Sequence, residues 1–437
     1  MSPKTERPRT GYAIDLTEFR VGWRILILAL IGVWTSVTVA PLYAFGSMII
    51  PLQEAFGWSR SEIQPAISFL FAGSVISLQI TGWLFNRYGG RVVTLCSLVA
   101  LPLAYLLMSF NSGSIWQLYG GFGLLTFAGL AAMPVTWTQL VNLWFEVNRG
   151  LALAIVLCGT GLAALTLPPL LTWAMGLWGW RAGFWLLAVV PLVVTLPLSF
   201  FWLSTATPLV ARVAAEQATD SVGVSLPGLS FAQTWRSKRF LICNLTMVLG
   251  VTATVGLVIN IIPMLRDKGL TAADAASAFS MFGVSLVVGR LLVGYLMDRF
   301  WAPGVSCIAL LLPAIGSLIF LTQTDFHVLM LGSILVGVGA GAELDIASFL
   351  VARYFGLRDY ARIYGLHMAI ICVGSTLAPF GYAWLLAETA SYSIMLGYCV
   401  FGFAAGSLFL LALGRYPVFK QALPVGVEYP PAGLAVR

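Results

Sequence analysis

The chain has 437 residues, of which 59% are hydrophobic and only 9% are charged. Soluble domains carry about 25% charged residues, so this composition excludes an ordinary soluble protein and predicts a chain that lies mostly within a lipid bilayer. The net charge of +7 does not indicate a nucleic-acid partner, because the basic residues are spread over short segments between apolar runs.

Long apolar segments follow one another along the chain, each with the length that a helix needs to cross a membrane. The first is interpreted as a retained helix, because it is too long for a signal peptide and lacks a small-residue cleavage site. The twelve predicted spans are 24–49, 62–84, 92–110, 115–143, 150–174, 182–203, 240–264, 273–296, 304–321, 328–352, 362–386 and 393–414.

The longest polar interruption divides these spans six and six. The sequence therefore predicts an all-α membrane protein made of two six-helix bundles. The expected segments are a cytoplasmic tail at 1–23, a first bundle at 24–203, a cytoplasmic linker at 204–238, a second bundle at 239–414 and a cytoplasmic tail at 415–437.

Positive charge predicts the orientation of the chain. With the N-terminus placed in the cytoplasm, only four of the 24 Lys and Arg residues fall on the other side, namely Arg60, Arg181, Arg266 and Lys268. Cytoplasmic loops are enriched in Lys and Arg. Both termini are therefore expected in the cytoplasm, with the chain in the inner membrane of a bacterium.

The two predicted bundles repeat the same motifs. GWLFNRYGGR begins at Gly82 and GYLMDRF begins at Gly294, each after the second helix of its half. Aromatic pairs also end the fourth helix of each half, at 144–145 and 354–355. Two corresponding halves are typical of a transporter whose binding site lies between them, near the middle of the membrane.

Arg290 is the one Lys or Arg that lies within a predicted span and away from its ends. A cation there costs several kcal/mol unless it is paired, solvated or lines a cavity. A guanidinium matches the planar geometry of a carboxylate, so Arg290 is a candidate substrate anchor. The alternative is a structural ion pair, and the two roles can alternate.

Glu343 and Asp345 are the acids inside the predicted spans. Two residues apart on a helix, they point about 200° away from each other and cannot face the same cavity. Counting from the helix ends places Glu343 at the depth of Arg290. An ion pair between them is therefore conceivable, and Glu343 is the first candidate for proton coupling, followed by Asp345.

These motifs resemble the major facilitator superfamily. Its loop signature G-x-L-x-D-R-x-G-R stands here as Gly82, Leu84, Asn86, Arg87 and Gly89, followed by Gly90 and Arg91, and its second copy as Gly294, Leu296, Asp298 and Arg299. Stretches 41–63, 142–155, 288–300 and 353–365 are most similar to the bacterial monocarboxylate-porter and oxalate/formate-type branch. The resemblance implies two bundles of six helices, a site between them, and a helix-eight Arg, here Arg290, on the substrate carboxylate.

The chain also departs from the pattern of this branch. Asn86 replaces the Asp of the loop signature, and Leu286 stands where animal monocarboxylate porters carry an Asp one turn before the Arg. Span 362–386 has no Lys, whereas the oxalate-type branch carries one on helix eleven. The helix-five signature of drug antiporters is not met.

Four further residues are candidates for the transport pathway. Tyr43, Trp137 and Asn260 are expected to contact substrate, with packing or an interfacial belt as the alternative for the aromatic pair. His367 is a candidate for proton transfer, with a hydrogen-bonded helix-end histidine as the alternative. The expected gating residues are Arg87, Arg91, Asp298 and Arg299.

The preferred hypothesis is a secondary transporter that moves a small organic anion, most simply a monocarboxylate, by alternating access with proton symport. Exchange of one anion for another is the nearest variant. The alternatives are an exporter of larger amphipathic compounds, such as drugs or metal-chelating metabolites, and a membrane sensor. The sequence has no P-loop and no catalytic constellation, so we expect no enzyme activity, no cofactor and no metal. The expected partners are the anion, protons or a counter-anion, and lipid, and the chain is expected to act as a monomer.

Overall fold

The computed structural model describes residues 16–145, 148–203, 228–356 and 358–417. The two expected tails and the expected linker lie largely outside these ranges. Within them nearly every residue is helical, and extended pairing is confined to an isolated bridge between Gly228 and Gly356.

The helices are α1 (Leu16–Trp34), α2 (Ala40–Phe56), α3 (Arg60–Ile63), α4 (Ala66–Tyr88), α5 (Gly90–Met108), α6 (Ile115–Ala128), α7 (Pro134–Asn142), α8 (Arg149–Trp178), α9 (Arg181–Val190), a π-turn (Pro191–Thr195), α10 (Leu196–Trp202), α11 (Phe231–Trp235), α12 (Lys238–Asp267), α13 (Ala272–Arg299), α14 (Ala302–Thr322), α15 (Phe326–Phe355), α16 (Tyr360–Thr389) and α17 (Ser393–Leu411).

Ten helical segments among the described residues are long and apolar enough to cross a membrane. They correspond to all the predicted spans except the first and the fourth. Those two are each present as a pair of shorter helices, α1 with α2 and α6 with α7. The all-α membrane fold is confirmed, whereas continuous helices over 24–49 and 115–143 are wrong.

Both breaks lie immediately before a proline. Pro41 stands in the first turn of α2 and Pro134 in the first turn of α7. Proline has no N–H to donate to the preceding turn and disfavours helical geometry in the residue before it. The two prolines therefore favour the start of a new helix, at α2 and at α7, and oppose a continuous helix through each break.

The polar backbone groups freed by the breaks find partners in each other and in nearby hydroxyls. The Val37 N–H donates to the Ala132 carbonyl at 3.2 Å. The Thr81 hydroxyl donates to the Leu130 carbonyl at 3.0 Å, and the Ala131 N–H donates to the Ser97 hydroxyl at 3.3 Å. Unwound backbone survives at membrane depth only when it is satisfied in this way.

Two hydrophobic cores organise the helices. The first is built from buried residues of α1–α10, and the second from buried residues of α12–α17 and the segment that follows α17. We call these parts of the chain the first half (residues 16–203) and the second half (residues 228–417). The terminal face is the face where α1 begins and α17 ends, and the opposite face is the other.

The two halves meet along a seam. The Ser280 hydroxyl on α13 donates to the Leu165 carbonyl on α8 at 2.9 Å, and the Phe69 and Phe380 rings lie 6.3 Å apart across α4 and α16. Ile259 of α12 packs within the core of the first half. These contacts lie on the opposite-face side of Arg290, so the seam is closed towards the opposite face.

Candidate functional site

Arg290 lies on α13 and is 4% exposed. Its Nε donates to the Gly341 carbonyl on α15 at 3.1 Å and lies 3.5 Å from Asp345 Oδ2. Its Nη1 is buried with no described partner. The guanidinium is thus fixed on one side and retains hydrogen-bonding capacity on another.

The close approach of α13 and α15 depends on Gly341. A Cβ at this position would overlap the Leu286 carbonyl oxygen of α13. Since there is none, the Gly341 carbonyl comes within reach of Arg290. The glycine therefore places the acceptor that orients the buried cation.

The two acids of α15 occupy different environments. Asp345, whose side chain is 29% exposed, faces Arg290. Glu343 is 5% exposed and packs on α12, where a Cβ at Gly250 would lie 2.6 Å from its Oε1. The ion pair conceived between Arg290 and Glu343 is wrong for this conformation, because the helical rotation between the two acids turns Asp345, and not Glu343, towards α13.

Residues of the first half complete the surroundings of Arg290. Tyr43 on α2 lies within electrostatic range of Arg290 and Glu343, with its ring 6.1 Å from that of Phe282. Cys158 on α8 lies within electrostatic range of Arg290 and Asp345. The sequence indicated only packing for Cys158, because a cysteine in an apolar run carries no signal of its position in the fold. The structure thus brings α2, α8, α13 and α15 together at the seam.

Trp137 and Asn260 lie elsewhere. Trp137 is fully buried, and a Cβ at Gly32 of α1 would overlap its ring. Asn260 is also fully buried, and its Oδ1 accepts a hydrogen bond of 2.7 Å from Gln64 Nε2 of the first half. In this conformation the described contacts of Trp137 are packing contacts, and Asn260 joins the two halves.

The opposite face carries a polar contact between the halves that the sequence did not predict. Arg60 on α3 forms a two-pronged ion pair with Asp267 at the end of α12, with Nη2 and Oδ1 2.7 Å apart. Its Nη1 also donates to the Tyr392 hydroxyl at 2.8 Å. We call Arg60, Asp267 and Tyr392 the latch. Gln64, an amide in an apolar span, was an available signal of a contact nearby, whereas Arg60 and Asp267 resemble ordinary loop charges.

His367 is fully buried on α16, near the terminal face. Its Nδ1 lies 2.8 Å from the Asn244 Oδ1 on α12, and its Nε2 has no described partner. The hydrogen bond ties α16 to α12. The structure therefore places His367 away from the contacts around Arg290.

The expected gating residues make their described contacts within one half. Arg87 lies over the Trp83 ring at 5.4 Å, and Arg91 Nη2 donates to the Phe200 carbonyl at 3.0 Å. Arg299 lies 4.3 Å from the centroid of the Tyr295 ring, and Asp298 is exposed. All four lie at the terminal face, in the helix ends where the sequence repeats.

The sequence model of the Major Facilitator Superfamily matches residues 25–306 and 241–430 of the chain. The chain belongs to the major facilitator superfamily. It is therefore a multi-pass membrane transporter and not an enzyme.

Three similar proteins extend this comparison. The uncharacterized MFS-type transporter YcxA of Bacillus subtilis is 23% identical over 82% of this chain and 87% of its own length. Human monocarboxylate transporter 11 is 23% identical over 92% of this chain and 84% of its own. The crystal structure of a bacterial homolog of the human lysosomal transporter Spinster, in an inward-facing and occupied conformation, has a TM-score of 0.64 at 14% identity and covers 92% of this chain and 96% of its own.

Proposed function

We propose that this transporter carries a small organic monocarboxylate across the bacterial inner membrane by alternating access. The observation that carries the proposal is the buried Arg290 Nη1, which has no described partner although the same guanidinium is fixed through Nε. A carboxylate satisfies such a group with charge-assisted hydrogen bonds. The name of human monocarboxylate transporter 11 supports the same class of substrate.

One carboxylate fits this site better than two. Arg290 is the cation of the site, and Asp345 already offsets part of its charge. A second buried anionic group would need its own partner, because an unpaired buried charge is strongly unfavourable. Tyr43 and the apolar ring of Phe282 line the same region and suit a short organic body.

We assign the first role in proton coupling to Asp345, with Glu343 second. A substrate carboxylate that takes Arg290 displaces Asp345, which then accepts a proton more readily because it has lost its counter-charge. Binding of the anion and of the proton are thereby linked at one cation. Glu343 has no described basic partner and packs against Gly250, so substrate has less direct access to it.

The orientation follows from the charge distribution. Because most Lys and Arg residues lie at the terminal face, this face is assigned to the cytoplasm. The seam is closed towards the opposite face by the latch, so this conformation is closed to the periplasm. Arg87, Arg91, Asp298 and Arg299 then belong to the gate that closes the terminal face in the other conformation. Fusions at residue 437 test the orientation, with a fluorescent reporter active and alkaline phosphatase inactive if the proposal holds.

The test of function is an uptake screen in proteoliposomes. Labelled formate, lactate, pyruvate and oxalate are offered with and without an inward proton gradient. We expect uptake of at least one monocarboxylate, accumulation with the gradient, and little uptake of oxalate. If no small carboxylate is taken up or competes, the proposal fails, and uptake that depends only on a trapped internal anion identifies exchange in place of symport.

A further inference from the structure

A pocket of about 440 Å³ opens at the opposite face, on the seam between the halves. This volume lies within the range of small-molecule sites. Ala272, the first residue of α13, lines it, so it lies roughly 25 Å along that helix from Arg290. The residues that matter here are Ser47, Glu54, Met175 and Trp180 from the first half and Ile262 and Arg266 from the second.

Three polar side chains of this pocket lack partners among the described residues. Ser47 Oγ is buried without a hydrogen bond, in a residue that is 7% exposed. Arg266 and Glu54, on walls that belong to different halves, make no described ion pair. Neighbouring cations differ, since Arg60 pairs with Asp267 and the Lys268 ammonium donates to the Gln323 carbonyl. The pocket thus presents a half-buried cation and an exposed anion on opposite walls, together with a buried hydroxyl that has no described partner.

We propose that this seam pocket binds an apolar amino acid as a zwitterion. Arg266 takes the carboxylate, Glu54 takes the ammonium group, and Ser47 adds a hydrogen bond. The apolar side chain lies against Met175 and Trp180. A ligand with one charge engages only one of the two charged side chains, and a simple anion is also repelled by Glu54. The net-neutral pair of walls therefore selects a ligand that carries both charges.

Such a ligand also stabilises the closed opposite face. It contacts both halves at once, so it binds the closed form more tightly than a form in which the walls have separated. Bound amino acid should therefore slow turnover without raising the KM for the transported substrate. The site is separate from Arg290, and the binding test below does not depend on which substrate is carried.

The test measures equilibrium binding of labelled phenylalanine, 3-phenylpropionate and phenethylamine to the purified chain. The last two lack the ammonium and the carboxylate, respectively. We expect phenylalanine to bind at least tenfold more tightly than either. Arg266→Gln and Glu54→Gln should each weaken phenylalanine binding about tenfold, and Glu54→Gln should improve binding of 3-phenylpropionate. Arg290→Gln should leave the affinity for phenylalanine unchanged. It also removes the proposed carboxylate site, so binding of 3-phenylpropionate to this variant reports the seam pocket alone.

Two further variants provide controls. Lys268→Gln removes a neighbouring cation that does not line the pocket and should leave binding intact. Gly176 lines the pocket, and a Cβ there meets no atom within 4 Å, so a larger side chain fits without disturbing the fold. Gly176→Leu should therefore fill the pocket and abolish binding. The proposal is overturned if 3-phenylpropionate binds the Arg290→Gln chain as tightly as phenylalanine does. It is equally overturned if Arg266→Gln and Lys268→Gln have the same affinity for phenylalanine. The comparison of phenylalanine with phenethylamine needs no variant, and equal affinities of these two ligands for the unmodified chain would also overturn the proposal.

Discussion

Arg290 is held by one carbonyl and faces one carboxylate, yet a guanidinium has five N–H donors. Its Nε reaches Gly341 and lies near Asp345, while Nη1 remains buried without a described partner. A residue needed only for structure would be expected to satisfy its buried donors. The incomplete set of partners therefore favours a ligand at this position.

Arg290→Lys should lower kcat/KM for carboxylate uptake at least tenfold. Lysine keeps the charge but loses the planar fork that engages a carboxylate and the Gly341 carbonyl together. The measurement is initial uptake in proteoliposomes, with the thermal unfolding midpoint as a check on folding. Arg236→Lys, at an exposed arginine that directly follows α11, is the matched control and should keep full activity. Unchanged kinetics in Arg290→Lys would make Arg290 a structural residue.

Asp345→Asn should abolish proton-driven accumulation but preserve exchange of internal for external substrate. The amide cannot take up a proton, yet Arg290 remains free to bind the carboxylate. Uptake with an inward proton gradient and counterflow at equal pH measure the two activities separately. Glu343→Gln should retain accumulation. The reverse result, with accumulation lost only in Glu343→Gln, would move the coupling role to Glu343.

Close contact between α13 and α15 is the element-scale feature on which the site depends. Gly341 lies against the backbone of Leu286, so the two helices approach more closely than larger side chains permit. The buried cation on one helix and its acceptor on the other are set by this approach. A change at the glycine should therefore affect packing and the site together.

Gly341→Ala should destabilise the chain by about 1–3 kcal/mol, the usual range for overpacking. It should also weaken carboxylate binding, because α15 must move away from Arg290. Thermal unfolding and substrate binding are the measurements. Gly294→Ala on α13 is the control, since a Cβ there meets no atom within 4 Å. Equal effects of the two substitutions would show that the helix contact does not matter.

The broken helices show what hydropathy alone leaves out. Windows at 24–49 and 115–143 are apolar throughout, so they predict continuous spans. The local signal was present in Pro41 and Pro134, which stand in the first turns of the helices that follow the breaks. The two breaks also stabilise each other, because the Val37 N–H donates to the Ala132 carbonyl. Hydropathy does not predict this hydrogen bond, since the two residues are far apart in the chain.

At the scale of the whole molecule, the latch decides which face is closed. Arg60 joins Asp267 and Tyr392 across the seam. Burial raises the pKa of Tyr392 to about 12, so its hydroxyl is neutral at physiological pH and accepts from Arg60 without changing charge. The tyrosine part of the latch should therefore be insensitive to pH between 5 and 9.

Asp267→Asn should shift the chain towards the form that is open at the opposite face. Asp267 is 46% exposed, and ion pairs open to solvent contribute up to about 1 kcal/mol, so the equilibrium should change by up to roughly fivefold. Distances between spin labels on the two halves at the opposite face measure the shift. Glu388→Gln, an exposed acid near the end of α16, is the control. An unchanged distance distribution in Asp267→Asn would show that the latch does not hold this face closed.

The sequence by itself determined the membrane fold, the order of the spans and the superfamily. These depend on the length of the apolar segments, on the Lys and Arg residues between them, and on short motifs. It also singled out Arg290, since a charge in an apolar span is visible without a structure. Only the tertiary structure decided that Asp345 faces Arg290, that Cys158 and Tyr43 come from the other half, and that Arg60 meets Asp267. These pairings join residues distant in sequence, and they depend on helix rotation and close packing, which composition and spacing do not specify.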